Sequence, residues 1–332
     1  MGQWSGGQPV ALAQYRVGVS DDQQLLDRAG LTVEHRGESF TVELPVRWGD
    51  LDAQGHVNNA MFLDYLQDAR VDFVLAGGVP TMLDEGVVVT EHTIEYRAPI
   101  TFSGQPVQVH IAMVERRLAR FRVGYLVSQG DRLCAVATSL MVPFDLATQR
   151  PRRISEDEAG WFDRFAWRVE NPFRDIPKVS LDGRGHVTPV QTRWSDVDRF
   201  GHVNNVRTLD YFQEARIAMT MAADPGMARS GTVVVTPGLV KEGTNERFQW
   251  LVARQDIDYL GQIRFRREPY QVHTGVTRLG TSSMSLAEEL IDPATGDLLA
   301  RARTVMVCAL NDVPHPIEER SRQGLAQFSV EA

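Results

Sequence analysis

Apolar and polar residues alternate along Phe40-Thr41-Val42-Glu43-Leu44-Pro45-Val46 and predict a half-buried strand. After Asn59 the period changes. Phe62, Leu66, Ala69, Phe73 and Ala76 fall at helical spacing, while Met61, Leu63 and Val74 widen the apolar face until the helix must be buried on most sides. Gly77-Gly78 ends it and Pro80 blocks its continuation. Four strand-like runs follow at 87–97, 105–116, 119–129 and 132–145, with Ser128-Gln129-Gly130-Asp131 as a hairpin turn. The predicted unit is strand, long buried helix, then four antiparallel strands. One antiparallel sheet curled around one helix is its compact form.

The same order returns. Arg47 to Arg70 and Arg193 to Arg216 are identical at 15 of 24 paired positions, at a constant offset of 146, which marks a duplicated unit. Ile257-Asp258-Tyr259 answers Ile94-Glu95-Tyr96 at an offset of 163, placing 17 extra residues inside Asp224 to Trp250, a Gly- and Pro-rich insertion. The expected layout is an N-terminal extension over 1–39, a first domain over 40–149, a linker over 150–187, a second domain over 188–312 and a tail over 313–332. The extension holds a helical candidate, Asp21 to Ala29, and a Gly-rich start, Met1 to Gly7, expected to be mobile. In the linker, Ser155-Glu156-Asp157-Glu158 is an acidic helix start, continued through Trp161 to Arg168.

Length suits two domains: 332 residues exceed one ordinary core. Hydrophobic content of 43% and charged content of 23% describe a globular chain, and a net charge of -8 opposes nucleic-acid or anionic-membrane partners. No run approaches bilayer length and no signal peptide is visible, so a cytoplasmic protein is expected. Cys134 and Cys308 sit at non-equivalent places in late apolar segments and read as buried free thiols.

The duplicated Asp-x-Asp-x-x-Gly-His-x-Asn-Asn carries the chemistry. It opens like a calcium loop, but the position that needs Glu holds Met61 in one copy and Arg207 in the other. A two-Asp phosphotransfer site needs Thr or Val where Gln54 and Phe200 stand. Acyl transfer to water fits better. It needs a group that attacks or activates water and donors for the developing oxyanion, and a loop Asp running into a helix N-terminus supplies both. Asp50 and Asp196 read as turn caps, and Asn58 and Asn204 as helix N-caps. Arg70 and Arg216 are expected to pair with helix acids such as Asp68 and Glu214, and Trp48 and Trp194 to meet core neighbours.

The stretches WGDLDAQGHVNNAMFLDYLQDAR and WSDVDRFGHVNNVRTLDYFQEAR resemble the signature of the hot-dog thioesterases of the 4-hydroxybenzoyl-CoA type, and more closely the plant acyl-ACP thioesterases. The resemblance covers about 40–145 and 187–311 and implies an α+β fold of tandem hot-dog domains packed as a pseudo-dimer. It implies Asp52 and Asp198 as the catalytic carboxylates, nucleophile or general base, and the N–H groups of Asn59 and Asn205 as carbonyl-polarising donors. His56 and His202 match the family's motif histidine. Glu95, with Asp258 in its place in the second copy, looks like a later catalytic Glu. Gln54 stands where the plant enzymes have Asn, and Phe200 does not, so a water-orienting amide is expected in one site only. His56 and His202 also read as hydrogen-bonded loop residues, and Glu95 and Asp258 as ordinary solvent-facing acids.

The expected activity is hydrolysis of acyl-CoA, or of acyl-ACP, in a chain that associates into homo-oligomers and needs no metal or redox cofactor. Arg97, Arg116, Arg117, Arg264 and Arg266 are candidate contacts for the phosphates of CoA. A non-catalytic acyl-CoA-binding module and a hydratase on the same fold are the competing classes.

Overall fold

The computed structural model describes residues 15–18, 23–170, 173–227, 248–311 and 313–330. The Gly-rich start and the bulk of the 224–250 insertion lie outside these. Each repeat supplies five strands and a long helix. The first has β1 (Ser39–Leu44), α1 (Phe62–Ala76), β2 (Val87–Tyr96), β3 (Val107–Arg116), β4 (Phe121–Gln129) and β5 (Arg132–Asp145). The second has β6 (His186–Val190), α2 (Thr208–Ala223), β7 (Phe248–Tyr259), β8 (Tyr270–Leu279), β9 (Ser283–Ile291) and β10 (Leu298–Leu310). Each of the four runs expected after the first helix is a strand.

The strands join into one antiparallel sheet in the order β1-β3-β4-β5-β2-β7-β10-β9-β8-β6, with Tyr15–Gly18 added beside β1. The halves meet where β2 pairs with β7, in a register that sets Glu95 opposite Arg254 and Glu91 opposite Asp258. This is the tandem hot-dog arrangement. Each helix lies against the inner face of its own half. In α1 the buried residues are Phe62, Leu63, Tyr65, Leu66, Ala69, Arg70, Phe73 and Val74, about half the circumference, and Asp68 and Leu75 are exposed on the other side, so the buried face is narrower than the apolar pattern predicts. Among the described residues no helix is long and apolar enough to cross a bilayer. Both cysteines are buried and unpaired.

The connecting segments close what the two units leave open. The linker helix spans Glu156–Arg164, with Ser155 and Glu158 forming a reciprocal capping box. It stops four residues short of the expected Arg168, because Phe165 turns inward to pack on Phe40 and Phe73 and the chain then becomes strand Trp167–Val169. Trp161 donates its indole N–H to the Phe73 carbonyl at 3.1 Å, covering the end of α1. Helix Gln23–Ala29 lies on the outer face, where Leu26 and Ala29 cluster with Leu126, Leu133, Val136 and Trp167.

Helix Glu319–Ala326 does for the second unit what the linker helix does for the first, packing Leu325 beside Met219 at the end of α2. The approach is close enough to require glycine: a Cβ on Gly324 would stand 2.0 Å from the Ala223 carbonyl oxygen. Gly324→Ala is therefore expected to lower stability by roughly 1–3 kcal/mol through forced separation of the helices, read as a lower urea midpoint with an unchanged slope. An unchanged midpoint would mean that the contact yields freely.

Candidate active site

Both motif loops are built alike. Arg47 leads into a single 3-10 turn, Trp48–Asp50, and the Asp50 carboxylate folds back under it. It accepts from the Arg47 backbone N–H at 3.2 Å, from Arg47 Nε at 3.0 Å and from the Tyr65 hydroxyl of α1 at 2.6 Å. In the second copy Asp196 accepts from the Arg193 N–H at 2.8 Å and from Tyr211 at 2.7 Å. Asn58 N–H donates to the Asp50 carbonyl and Asp52 N–H to the His56 carbonyl, each at 2.8 Å, while Leu51 bridges Val57. The loop is a miniature antiparallel ladder. Gly55 and Gly201 turn its tip at φ +81°, where a side chain would be strained.

This ladder fixes Asp52 by one oxygen. Oδ1 accepts from the N–H groups of Gln54 at 2.8 Å and His56 at 3.3 Å; in the second copy Asp198 Oδ1 takes Phe200 at 2.9 Å and His202 at 3.4 Å. Among the described residues neither Oδ2 has a donor, so one oxygen of each carboxylate is left open. The imidazoles of His56 and His202 lie on the same half-buried loops.

The helix entrance comes next. Asn58 caps a 3-10 turn, Asn59–Met61, by accepting the Ala60 N–H at 3.0 Å, and that turn runs straight into α1. Among the described residues nothing accepts the Asn59 N–H, nor that of Asn205 in the matching turn. Its direction is held from both halves of the chain, by a tyrosine of the same repeat and a polar side chain of the other. Tyr96 donates its hydroxyl to the Asn59 carbonyl at 3.0 Å, and the Asn59 amide donates to Gln255 Oε1 at 2.9 Å. In the second copy Tyr259 donates to the Asn205 carbonyl at 3.0 Å, and Asn205 Nδ2 donates to His92 Nε2 at 3.2 Å. Each centre thus combines a loop from one repeat with a strand from the other.

His92 is fully buried, and burial followed by the charge of Arg70 holds it well below its ordinary value, so the ring is neutral. With Nε2 accepting from Asn205, the proton sits on Nδ1 and is donated to Ser139 Oγ at 2.8 Å. Burial likewise pushes the hydroxyls of Tyr96 and Tyr259 up, keeping both as donors.

A family model of the thioesterase-like superfamily matches residues 46–162 and again 192–319, one motif in each match. The chain belongs to the thioesterase-like superfamily. Thioester hydrolysis is the reaction class that membership carries. The uncharacterized protein YsmA of Bacillus subtilis (strain 168) is 30% identical over 97 residues, 29% of this chain and 54% of that relative, so the chain spans about half its length. The solved 12:0-ACP thioesterase from Umbellularia californica is 15% identical, with 82% of this chain and 94% of that one covered at a TM-score of 0.62. An acyl-ACP thioesterase from Bacteroides thetaiotaomicron VPI-5482 is 12% identical, with 81% and 97% covered at 0.56. At such identity the likeness to both is one of fold.

Not every candidate of this thioesterase-like chain gathers at the loops. Glu95 and Asp258 do not. Strand alternation puts Tyr96 and His92 on the inner face with the helices, so Glu95, one residue away, points outward, where it pairs with Arg97 at 2.6 Å. Asp258 is held by Arg303 at 2.8 Å and Lys178 at 3.1 Å, on the wall of an outer-face cavity of about 460 Å³ that the sheet separates from the motif loops. Arg116 is occupied by Asp163 of the linker helix, Arg117 by Glu115, and Arg266 by Asp292. Arg264 is exposed beside the second loop, because the Val203 N–H donates to the Ile263 carbonyl at 2.9 Å.

Two further expectations are corrected. Arg70 turns inward to the Tyr125 hydroxyl at 3.3 Å and Arg216 to Glu288 at 3.3 Å, not to the acids of their own helices, because both positions lie on the buried side. Trp48 and Trp194 are 74% and 73% exposed, since the short turns they open are pinned beneath by the aspartates and leave the indoles outside. Sequence reasoning missed Tyr96, Tyr259, His92 and Gln255. The repeated Tyr in Ile94-Glu95-Tyr96 and Ile257-Asp258-Tyr259 was the available signal, sharing its face with the core isoleucine.

Burial pushes the Asp50 carboxyl up, but the hydrogen bonds from Arg47 and Tyr65 outweigh it and hold the group below the usual range. Its contribution is therefore complete above the unfolded value of about 3.9 and is lost as pH falls through the lower folded value. Asp50→Asn is expected to cost about 1–3 kcal/mol at pH 7, measured by urea unfolding, with the gap to the unmodified protein narrowing below about pH 4. A gap of the same size at pH 7 and pH 3 would contradict the clamp.

Proposed function

We propose that the protein hydrolyses acyl-CoA thioesters to a carboxylate and a thiol, using the two motif loops as its active centres. One observation supports this above the others. In both copies an Asp with one oxygen tied down and the other open shares a rigid loop with an unpartnered N–H at a helix entrance. Aspartate supplies the nucleophile, or the base that takes a proton from water. The Asn59 or Asn205 N–H, backed by the positive end of its helix, receives the negative charge that develops on the thioester oxygen. With Asp as base, the water oxygen bonds to the carbonyl carbon, the carbon–sulfur bond breaks and the thiolate leaves to be protonated. With Asp as nucleophile, its oxygen displaces the thiolate and water then opens the resulting anhydride, releasing the carboxylate and restoring the Asp. Tyr96 and Tyr259 act on either route only through the carbonyl of each Asn, so they are positioning residues.

The two centres are unequal. Gln54 offers a carboxamide two residues beyond the acid where Phe200 offers a ring, itself covered by Arg199 at 5.0 Å. Asp52→Asn, Asp198→Asn and the double variant, assayed for thiol release across acyl-CoA substrates, are the test. The double variant is expected to lose at least about 100-fold in kcat/KM, and the single variants to lose unequal shares. Undiminished turnover in the double variant would end this reading. Tight acyl-CoA binding with no thiol released by the unmodified protein would leave a binding module.

A further inference from the structure

The two exposed tryptophans belong to matched surface pairs. Trp48 packs edge to face against Phe102 with centroids 5.5 Å apart, and Trp194 against Phe265 at 5.4 Å. Phe102 and Phe265 are themselves 52% and 43% exposed. Each pair sits beside its motif loop, four residues ahead of Asp52 or Asp198 in sequence and next to the segment that accepts the N–H of Val57 or Val203. Hydrophobic burial does not account for rings so placed in both copies.

The pairs differ in charge. Phe102 is flanked by Thr101 and Ser103-Gly104, so its own segment carries no cation. The arginines across the depression beside it are Arg97, held by Glu95 at 2.6 Å, Arg132, which donates to Gln129 Oε1 at 3.3 Å, and Arg28, while Arg47 beside Trp48 is engaged by Asp50 at 3.0 Å. Phe265 lies within Arg264-Phe265-Arg266-Arg267-Glu268, and its contact with Trp194 brings that segment against Arg193. Arg193, Arg264 and Arg267 are exposed, and among the described residues none forms an ion pair. The backbone beneath them is fixed. Arg266 N–H donates to Thr192 Oγ1 at 3.2 Å, Gln191 Nε2 donates to the Arg266 carbonyl at 2.7 Å, and Tyr270 brackets Arg264 through both its N–H and its carbonyl. A rigid aromatic step ringed by unpaired guanidinium groups, on a chain of net charge -8, is a local exception that matches a planar base carrying phosphates.

We infer that Trp194 and Phe265, with Arg193, Arg264 and Arg267, hold the nucleotide end of CoA, the adenine against the rings and the phosphates on the guanidinium groups, and so load the centre built on Asp198 and Asn205. The Trp48–Phe102 pair, lacking those cations, does not. This rests on the acyl-CoA reading above and names the carrier and the centre it reaches.

The test compares Trp194→Ala and Arg264→Ala/Arg267→Ala with Trp48→Ala. Binding of CoA and of adenosine 3′,5′-bisphosphate is measured by titration calorimetry, and turnover is measured on acyl-CoA and on the acyl-pantetheine that lacks the nucleotide. The first two variants are expected to weaken CoA and bisphosphate binding by roughly tenfold and raise KM for acyl-CoA similarly, with kcat and acyl-pantetheine kinetics kept; Trp48→Ala should match the unmodified protein. Unaltered binding in both platform variants overturns the proposal, as does equal loss on both substrates. A defect confined to acyl-carrier-protein turnover would also overturn it, making the patch a protein-docking surface. If the unmodified protein releases no thiol yet binds the bisphosphate through Trp194 and Arg264, the hydrolytic reading falls and this one stands.

Discussion

The antiparallel join of Val87–Tyr96 to Phe248–Tyr259 carries more of the molecule than its own hydrogen bonds. Without it each repeat is a sheet with an unpaired edge, an arrangement that invites aggregation. With it, two half-sheets become one, and the inner-face residues of each central strand are delivered under the helix entrance of the other repeat. Gln255 reaches Asn59 and His92 reaches Asn205 only because the strands lie side by side. A candidate centre cannot be assembled from either half alone. Fold and site are therefore one constraint.

Below that join the two halves have diverged. In the first, His92 rests on Ser139 and Arg70 meets the Tyr125 hydroxyl. In the second, Gln255 faces Thr304, which donates to Glu288 at 2.5 Å, and Glu288 pairs with Arg216 at 3.3 Å. Burial pushes the Glu288 carboxyl up while Arg216 opposes it. An ion pair with no solvent contact adds little net stability, and breaking it is costly, so this chain of contacts serves geometry more than strength. It ends on the Gln255 carbonyl that takes the Asn59 amide, with the Tyr96 hydroxyl, which donates to the Asn59 carbonyl, 3.1 Å away.

Much of the fold was legible because a repeat doubles every signal: the wide apolar faces of α1 and α2 and the alternating strands recur in order. The motif loops were legible for the same reason, down to the capping of Ala60 by Asn58. What escaped was parity and partnership. Glu95 was singled out by chemistry, yet Ile94 is buried in the core and a neighbour one residue along a strand faces the other way, which makes Tyr96 the inward group. His92 and Gln255 carry no local mark at all, since their meaning depends on a strand 163 residues away. The tryptophans misled because indole is read as core, whereas a three-residue turn pinned from below has no inside to offer.

The pseudo-twofold axis shows what fusion permits. Across a true twofold axis every residue is written twice, and a surface must complement itself. Here the first turns of α1 and α2 bring the equivalent acids Asp64 and Asp210 to the same place, a repulsive pairing in a symmetric dimer. Arg207 of the second repeat bonds to Asp64 across the axis and to Asp210 within its own turn at 3.3 Å. Its counterpart is Met61, a neutral side chain packed against the core of the first repeat. One cation answers two acids, and a second would have to compete with it for the same carboxylates. A single chain can place that charge on one side only. Gln54 against Phe200, and Arg264-Phe265-Arg266-Arg267 against Thr101-Phe102-Ser103-Gly104, follow the same freedom out to the two candidate centres.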